Sequence, residues 1–176
     1  MPSPRDLEAE LADPKYAHLE CERRWLVEAG NAPDIAGLPR IDICDRYLEG
    51  TRLRLRSMVR GSDVPVFKLT KKYECADASV RPIVTAYLNH AEYDVFRTLS
   101  GAELRKSRYH VVDSGLTWTL DLFQGGLAGL VIVEIEAAGP AEIEGISPPA
   151  WAGREITFEP AWQGGSLAIH NAIPEQ

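Results

Sequence analysis

Arg52, Arg54 and Arg56 alternate with Leu53 and Leu55. Successive side chains of a β-strand point to opposite faces, so this spacing puts three guanidiniums on one face and both leucines on the other. Like charges in a row repel, and such a face is stable only where something anionic meets it. The same two-residue spacing returns at Lys106 and Arg108 and, with the sign reversed, at Glu20 and Glu22 and at Glu134 and Glu136. A chain that lines strand faces with both cations and carboxylates is built to hold a polyanion together with a divalent metal.

Strand-like segments dominate the rest of the chain. They are read at 18–28, 41–48, 51–59, 64–73, 80–88, 104–112, 118–123, 130–137 and 154–158, separated by turn signals such as Glu49-Gly50, Asp113-Ser114-Gly115 and Gly125-Gly126. Short alternating strands with hairpin-sized gaps predict an antiparallel sheet or barrel. One helix is well signalled: Asn89 as N-cap, Glu92 completing a capping box, Tyr93, Phe96 and Leu99 as an apolar stripe, and Gly101 as the stop. Shorter helices are expected at 140–144 and 166–171. Residues 1–15 read equally as a short helix starting at Ser3-Pro4 or as an arm, and 16–176 as a single domain.

Each charged segment has a plain alternative. Glu20, Glu22 and Arg24 share a strand face and suit a hard cation, but also fit a solvated face. The arginine run fits an edge strand charged against aggregation, although three arginine forks in register suit a chain of phosphates better. Lys72 shares a face with Lys68 and Thr70, and any single lysine is by default a surface group. Lys106 and Arg108 again fit a solvated face, and Asp121 fits either a metal or a cation partner. Glu134 and Glu136 interrupt the apolar strand Val131-Ile132-Val133, where carboxylates require a cation or metal. Together these segments turn polar faces inward and apolar faces outward. That inverse of a sandwich predicts an α+β fold: an antiparallel β-barrel with a polar lumen and helices packed outside.

The formal net charge of −7 disfavours nucleic acid as a partner. It suits a small anion held by locally gathered cations. Cys21, Cys44 and Cys75 show no metal-binding spacing and fit reduced thiols in the cytoplasm. The four histidines are scattered, and none pairs at ligand spacing. No apolar run reaches membrane-spanning length.

In order along the chain, Glu20-x-Glu22-x-Arg24 before Trp25-Leu26-Val27, Arg52-x-Arg54-x-Arg56, Leu69-Thr70-x-Lys72, Lys106-x-Arg108-Tyr109, Asp121-x-Phe123 and Val133-Glu134-Ile135-Glu136 resemble the CYTH domain, the triphosphate tunnel metalloenzyme family. Pro149-x-Trp151, Glu155-Ile156-Thr157 and Leu167-Ala168 resemble its closing segment, so the likeness runs from Glu20 to Ala168. It implies an eight-stranded antiparallel tunnel that binds a small triphosphate with Mg²⁺ or Mn²⁺. Glu20, Glu22, Asp121, Glu134 and Glu136 would hold metal. Arg52, Arg54, Arg56, Lys72, Lys106 and Arg108 would hold phosphates. Arg24, Glu134 and Glu136 would act in catalysis.

Two departures stand out. Arg24 replaces the signature lysine, and with a pKa above about 12 it cannot be a general base. The strand after Lys72 reads Arg81-Pro82-Ile83-Val84-Thr85, where many catalytic members carry alternating glutamates. Metal-dependent triphosphate hydrolysis is the leading expectation. Class IV adenylate cyclisation and a non-catalytic polyphosphate- or nucleotide-binding module are the alternatives. Open barrel edges would favour a homodimer.

Overall fold

The computed structural model describes residues 16–175. The expectation for residues 1–15 lies outside the described residues. Eight strands form: β1 (His18–Leu26), β2 (Ile41–Leu48), β3 (Leu53–Arg60), β4 (Val66–Lys72), β5 (Val80–Leu88), β6 (Gly101–Asp113), β7 (Leu116–Phe123) and β8 (Val131–Ala137). They close into a barrel in the order β1-β5-β4-β3-β2-β6-β7-β8, and every neighbouring pair is antiparallel. Closure removes the open edges on which the homodimer expectation rested.

A ninth strand at 154–158 does not form. β5 covers β1 only from His18 to Cys21, and then peels away. The segment around Arg154 takes over the bared edge: the Leu26 amide donates to the Arg154 carbonyl and the Ile156 amide to the Arg24 carbonyl. One isolated bridge, Trp25 with Glu155, is all that this short stretch makes.

Helix α1 (His90–Phe96) starts as expected. The Asn89 side chain accepts from the Glu92 amide, and the Glu92 carboxylate accepts from the Asn89 amide. It ends early, so Leu99 falls beyond it, and Gly101 opens β6 instead of capping a helix. α1 buries none of its residues fully; Tyr93 stacks on Phe67 at 4.2 Å, on the outer face of β4. α2 (Pro140–Gly145) and α3 (Gly164–His170) match the two expected short helices.

Two apolar clusters account for the polar lumen. Outside the barrel, Trp25 from β1, Trp118 and Leu120 from β7, and Val133 and Ile135 from β8 pack with Ile143 of α2. Trp25 and Trp118 meet edge to face at 5.8 Å. The second cluster joins Leu104, Phe123 and Ile132 to Trp162, Leu167 and Ala168 of the C-terminal segment. Each of those three strand residues lies two positions from an ionic residue, Lys106, Asp121 and Glu134, and so shares its inward face. The C-terminal segment therefore covers the β6–β8 side of one end of the barrel with apolar side chains, and there the ionic lumen begins one residue pair further in. α3 belongs to this cover, so of the helices expected outside the wall, it lies over the end instead.

Candidate active site

The strand registers bring the charged faces together. Arg56 on β3 stands across from Asp45 on β2, and Arg54 across from Tyr47. Arg108 on β6 stands across from Asp121 on β7, and Thr119 on β7 across from Glu134 on β8. Arg24 and Glu22 on β1 stand across from Glu134 and Glu136 on β8. All of these point into the lumen.

One group is a wired set of two cations and two carboxylates. The Arg108 Nε and Nη2 donate to Asp121 Oδ1 and Oδ2 at 2.7 Å each, and Nη2 also reaches Glu134 Oε2 at 2.8 Å. The Lys106 ammonium donates to Asp121 as well. Asp121 is wholly buried and Lys106, Arg108 and Glu134 nearly so. Burial alone would raise the Glu134 carboxyl, yet Lys106, Arg108 and Arg24 hold it well below the ordinary carboxylate range. Burial also weakens the Arg108 and Lys106 cations. For Arg108, Asp121 and Glu134 more than reverse this; for Lys106, burial wins and its pKa falls.

The second group is Glu20, Glu22 and Glu136, with one oxygen of each within 4.8 Å of the others. Glu136, the most open of the three, has its carboxyl pushed up, first by lost hydration and then by Glu22, Glu20 and Glu134. An all-carboxylate donor set under mutual repulsion fits a hard divalent cation. Thus the five acids expected to bind metal divide: three converge, while Asp121 and Glu134 are taken up by Lys106 and Arg108. Lys72 contacts Glu20 from β4. Arg24 is buried, its Nε 3.5 Å from Glu22 and its Nη1 donating to the Trp162 carbonyl at 3.4 Å.

A cavity of about 520 Å³ opens where α3 meets the ends of β2 to β5, lined by Tyr47, Arg52, Arg54, Lys72 and Arg81 among others. Arg52 precedes β3 and sits at the mouth, 2.7 Å from the exposed Glu74. The Arg54 Nε is buried without a hydrogen-bond partner. Arg56 is different: Asp45 engages its Nε and Nη2 at 2.6 and 2.7 Å.

Sequence reasoning passed over Asp45, Tyr47 and Arg81. Arg81 pairs across from Glu20 and shares the inner face with Ile83 and Thr85. The β5 stretch thus presents Arg81, an isoleucine and a threonine to the lumen; Thr85 shares a 3.0 Å hydrogen bond with Thr70. The alternation from Lys72 back to Lys68 signalled the inner face of β4. For β5, register with β1 was needed.

No family model matches the chain. A stretch of 64 residues is 41% identical to an inorganic triphosphatase of Acetivibrio thermocellus, covering 36% of this chain and 40% of that protein. Over 70 residues it is 31% identical to an inorganic triphosphatase of Nitrosomonas europaea, covering 39% of this chain and 46% of that protein. The matched stretch therefore spans less than half the length of these curated relatives. The solved inorganic triphosphatase NE1496 superposes with a TM-score of 0.57 at 23% identity, over 89% of this chain and 97% of that one. A closed barrel of eight antiparallel strands, lined with ordered cationic and acidic faces, gives this chain the CYTH, or triphosphate tunnel, fold.

Proposed function

We propose that this chain hydrolyses a small triphosphate, inorganic triphosphate foremost, with Mg²⁺ or Mn²⁺ held by Glu20, Glu22 and Glu136. The observation that carries this is the convergence of three carboxylates beside a lane of inward-facing cations within one closed barrel. The share of each curated relative that is matched covers less than half its length, but both relatives are inorganic triphosphatases, which supports the same substrate class.

The bound cation would neutralise phosphate oxygens and act as a Lewis acid. The chain's own residues do the rest. Arg54, Lys72, Lys106 and Arg108 hold the phosphate chain, and Arg52 and Arg81 draw it in at the mouth. Arg24, fixed between Glu22 and the Trp162 carbonyl, stabilises negative charge that builds on the phosphoryl oxygens. Glu134 holds Arg108 in place, and Glu136 orients the attacking water. Most of the rate gain is positioning and electrostatics. The lumen walls limit bulk water around the reacting phosphorus.

Residues 16–176 would act as one unit, without nucleic acid. No described helix is long and apolar enough to cross a membrane. The free thiols of Cys21, Cys44 and Cys75 fit a reducing, cytoplasmic setting.

The test is phosphate release from inorganic triphosphate, ATP, GTP and thiamine triphosphate, each with Mg²⁺, Mn²⁺ or EDTA. Metal-dependent release, abolished in Glu134→Ala, is the expected result. Cyclic AMP and pyrophosphate from ATP would identify a cyclase instead. Binding of triphosphate without turnover under every metal would identify a binding module.

A further inference from the structure

The three arginines of the β3 run do not share one fate. Arg52 sits at the mouth beside Glu74. Arg54 reaches the lumen with a buried Nε that has no acceptor. Arg56 has both donors of its fork spent on one carboxylate, Asp45. Asp45 is 1% exposed, and its Oδ1 also lies 3.9 Å from the Arg54 Nε, too far for a hydrogen bond. It therefore sits between a closed arginine and an open one.

We propose that Asp45 is a positioning residue: it takes Arg56 out of substrate contact, trims the positive charge of the lumen, and leaves Arg54 as the β3 arginine that grips the phosphate chain. This role presupposes the triphosphate site described above.

The chemistry of the pairs supports the distinction. Asp121 makes the same fork with Arg108, but its Oδ2 also takes Lys106, so that one carboxylate serves two cations where Asp45 hydrogen-bonds Arg56 alone. Asp45 gives both oxygens to Arg56 in the fork-to-fork geometry that satisfies guanidinium and carboxylate together. A buried bidentate pair of this kind is a net-neutral strut across β2 and β3. Substrate would have to break it to use the Nε and Nη2 of Arg56. The Arg54 Nε has no such bond to break, and a phosphate oxygen is the acceptor it lacks. Without Asp45, the lumen would carry one more positive charge within a few ångströms of the phosphates. Substrate and product would then both bind more tightly.

The experiment is calorimetric titration of tripolyphosphate in EDTA, which prevents turnover, on wild type, Asp45→Asn, Asp45→Asn/Arg56→Gln and Arg54→Gln. Asp45→Asn should bind on the order of tenfold more tightly than wild type, and with Mg²⁺ its kcat should fall as product release slows. The double variant should bind within about twofold of wild type, because a neutral pair replaces a neutral pair. Arg54→Gln should bind on the order of tenfold more weakly. A merely structural aspartate would weaken binding when changed, so an unchanged or weaker affinity in Asp45→Asn overturns the role. If that variant does not fold, the double variant decides: a loss as large as that of Arg54→Gln would mean that Arg56 grips substrate. Wild-type protein that ignores tripolyphosphate would remove the triphosphate reading itself, and this role with it.

Discussion

Glu22 and Glu136 stand directly opposite each other across the β1–β8 pair, with Glu20 close enough that one oxygen of each of the three lies within 4.8 Å of the others. Directly opposed like charges on a sheet are destabilising by up to about 1 kcal/mol. The barrel tolerates this repulsion at the place where the lumen has most use for a cation. Glu136→Gln should therefore raise the melting temperature of the metal-free protein by a few degrees. The same change should lower Mg²⁺-dependent phosphate release by about 100-fold. Thermal melts in EDTA, set beside the release assay, check both signs; a drop in both quantities would mean that Glu136 is a packing residue.

Metal should stabilise the fold through the same three acids. A cation that binds only the folded chain adds about 2.7 kcal/mol at a hundred times its dissociation constant. For a chain of this size that raises the melting temperature by about 5–10 °C. Titrating Mg²⁺ or Mn²⁺ into metal-free protein during thermal unfolding measures it. The gain should vanish in a Glu20→Gln/Glu22→Gln variant and persist in Asp121→Asn if that variant folds, because Asp121 is already committed to Lys106 and Arg108.

The barrel was legible in the sequence because its polarity is inverted: arginines, lysines and glutamates at two-residue spacing mark inward faces more sharply than valines could. The capping box at Asn89 was equally plain. Asp45 was not, because on β2 it shares a face with Ile43 and Tyr47, a pattern that reads as an ordinary mixed strand. Only the β2–β3 register sets it against Arg56. Arg81 was hidden for a related reason: Pro82 beside it argues against a central strand. The barrel accommodates that proline because its carbonyl, which accepts from the Tyr73 amide, suffices there. The division of the five acids into a converging trio and a cation-bound pair depends on strand tilt and stagger around the barrel, which no single strand encodes.

The Asp45–Arg56 pair predicts an acid limb in stability. Burial alone would raise the Asp45 carboxyl, but the Arg56 charge and hydrogen bonds bring it from an ordinary 3.8 down to about 2. An acid whose folded pKa lies below its unfolded value stabilises the fold at pH values above the unfolded one. That contribution fades as pH falls from about 4 and is gone below about 2. It amounts to about 2 kcal/mol. Urea midpoints between pH 5 and pH 2 should show this loss in wild type. In Asp45→Asn/Arg56→Gln the same segment of the curve should be shallower, and a curve of identical slope would remove Asp45 from the account of acid sensitivity.

Arg24 offers the sharpest separation of charge from proton transfer. Its backbone amide is bound by Thr157 Oγ1 at 2.9 Å and its guanidinium lies between Glu22 and the Trp162 carbonyl, so the side chain is delivered to the lumen in a fixed pose. Arginine remains protonated throughout the working pH range. It can stabilise developing charge and cannot remove a proton from water. Arg24→Met should therefore cut kcat by about 10²–10³, with a smaller change in KM, because charge builds on the phosphoryl oxygens in the transition state more than in the bound substrate. Arg24→Lys should restore part of kcat, since it restores the positive charge without the fork. If lysine at this position acted as a base, it would add a new ionisation to the pH–rate profile. A pure charge role leaves the shape of that profile unchanged from pH 6 to 9 and alters only its height. The pH dependence of kcat in the three proteins thus distinguishes the two roles, and a full loss of activity in Arg24→Lys would show that the bidentate geometry of arginine, more than its charge, is what the phosphate chain requires.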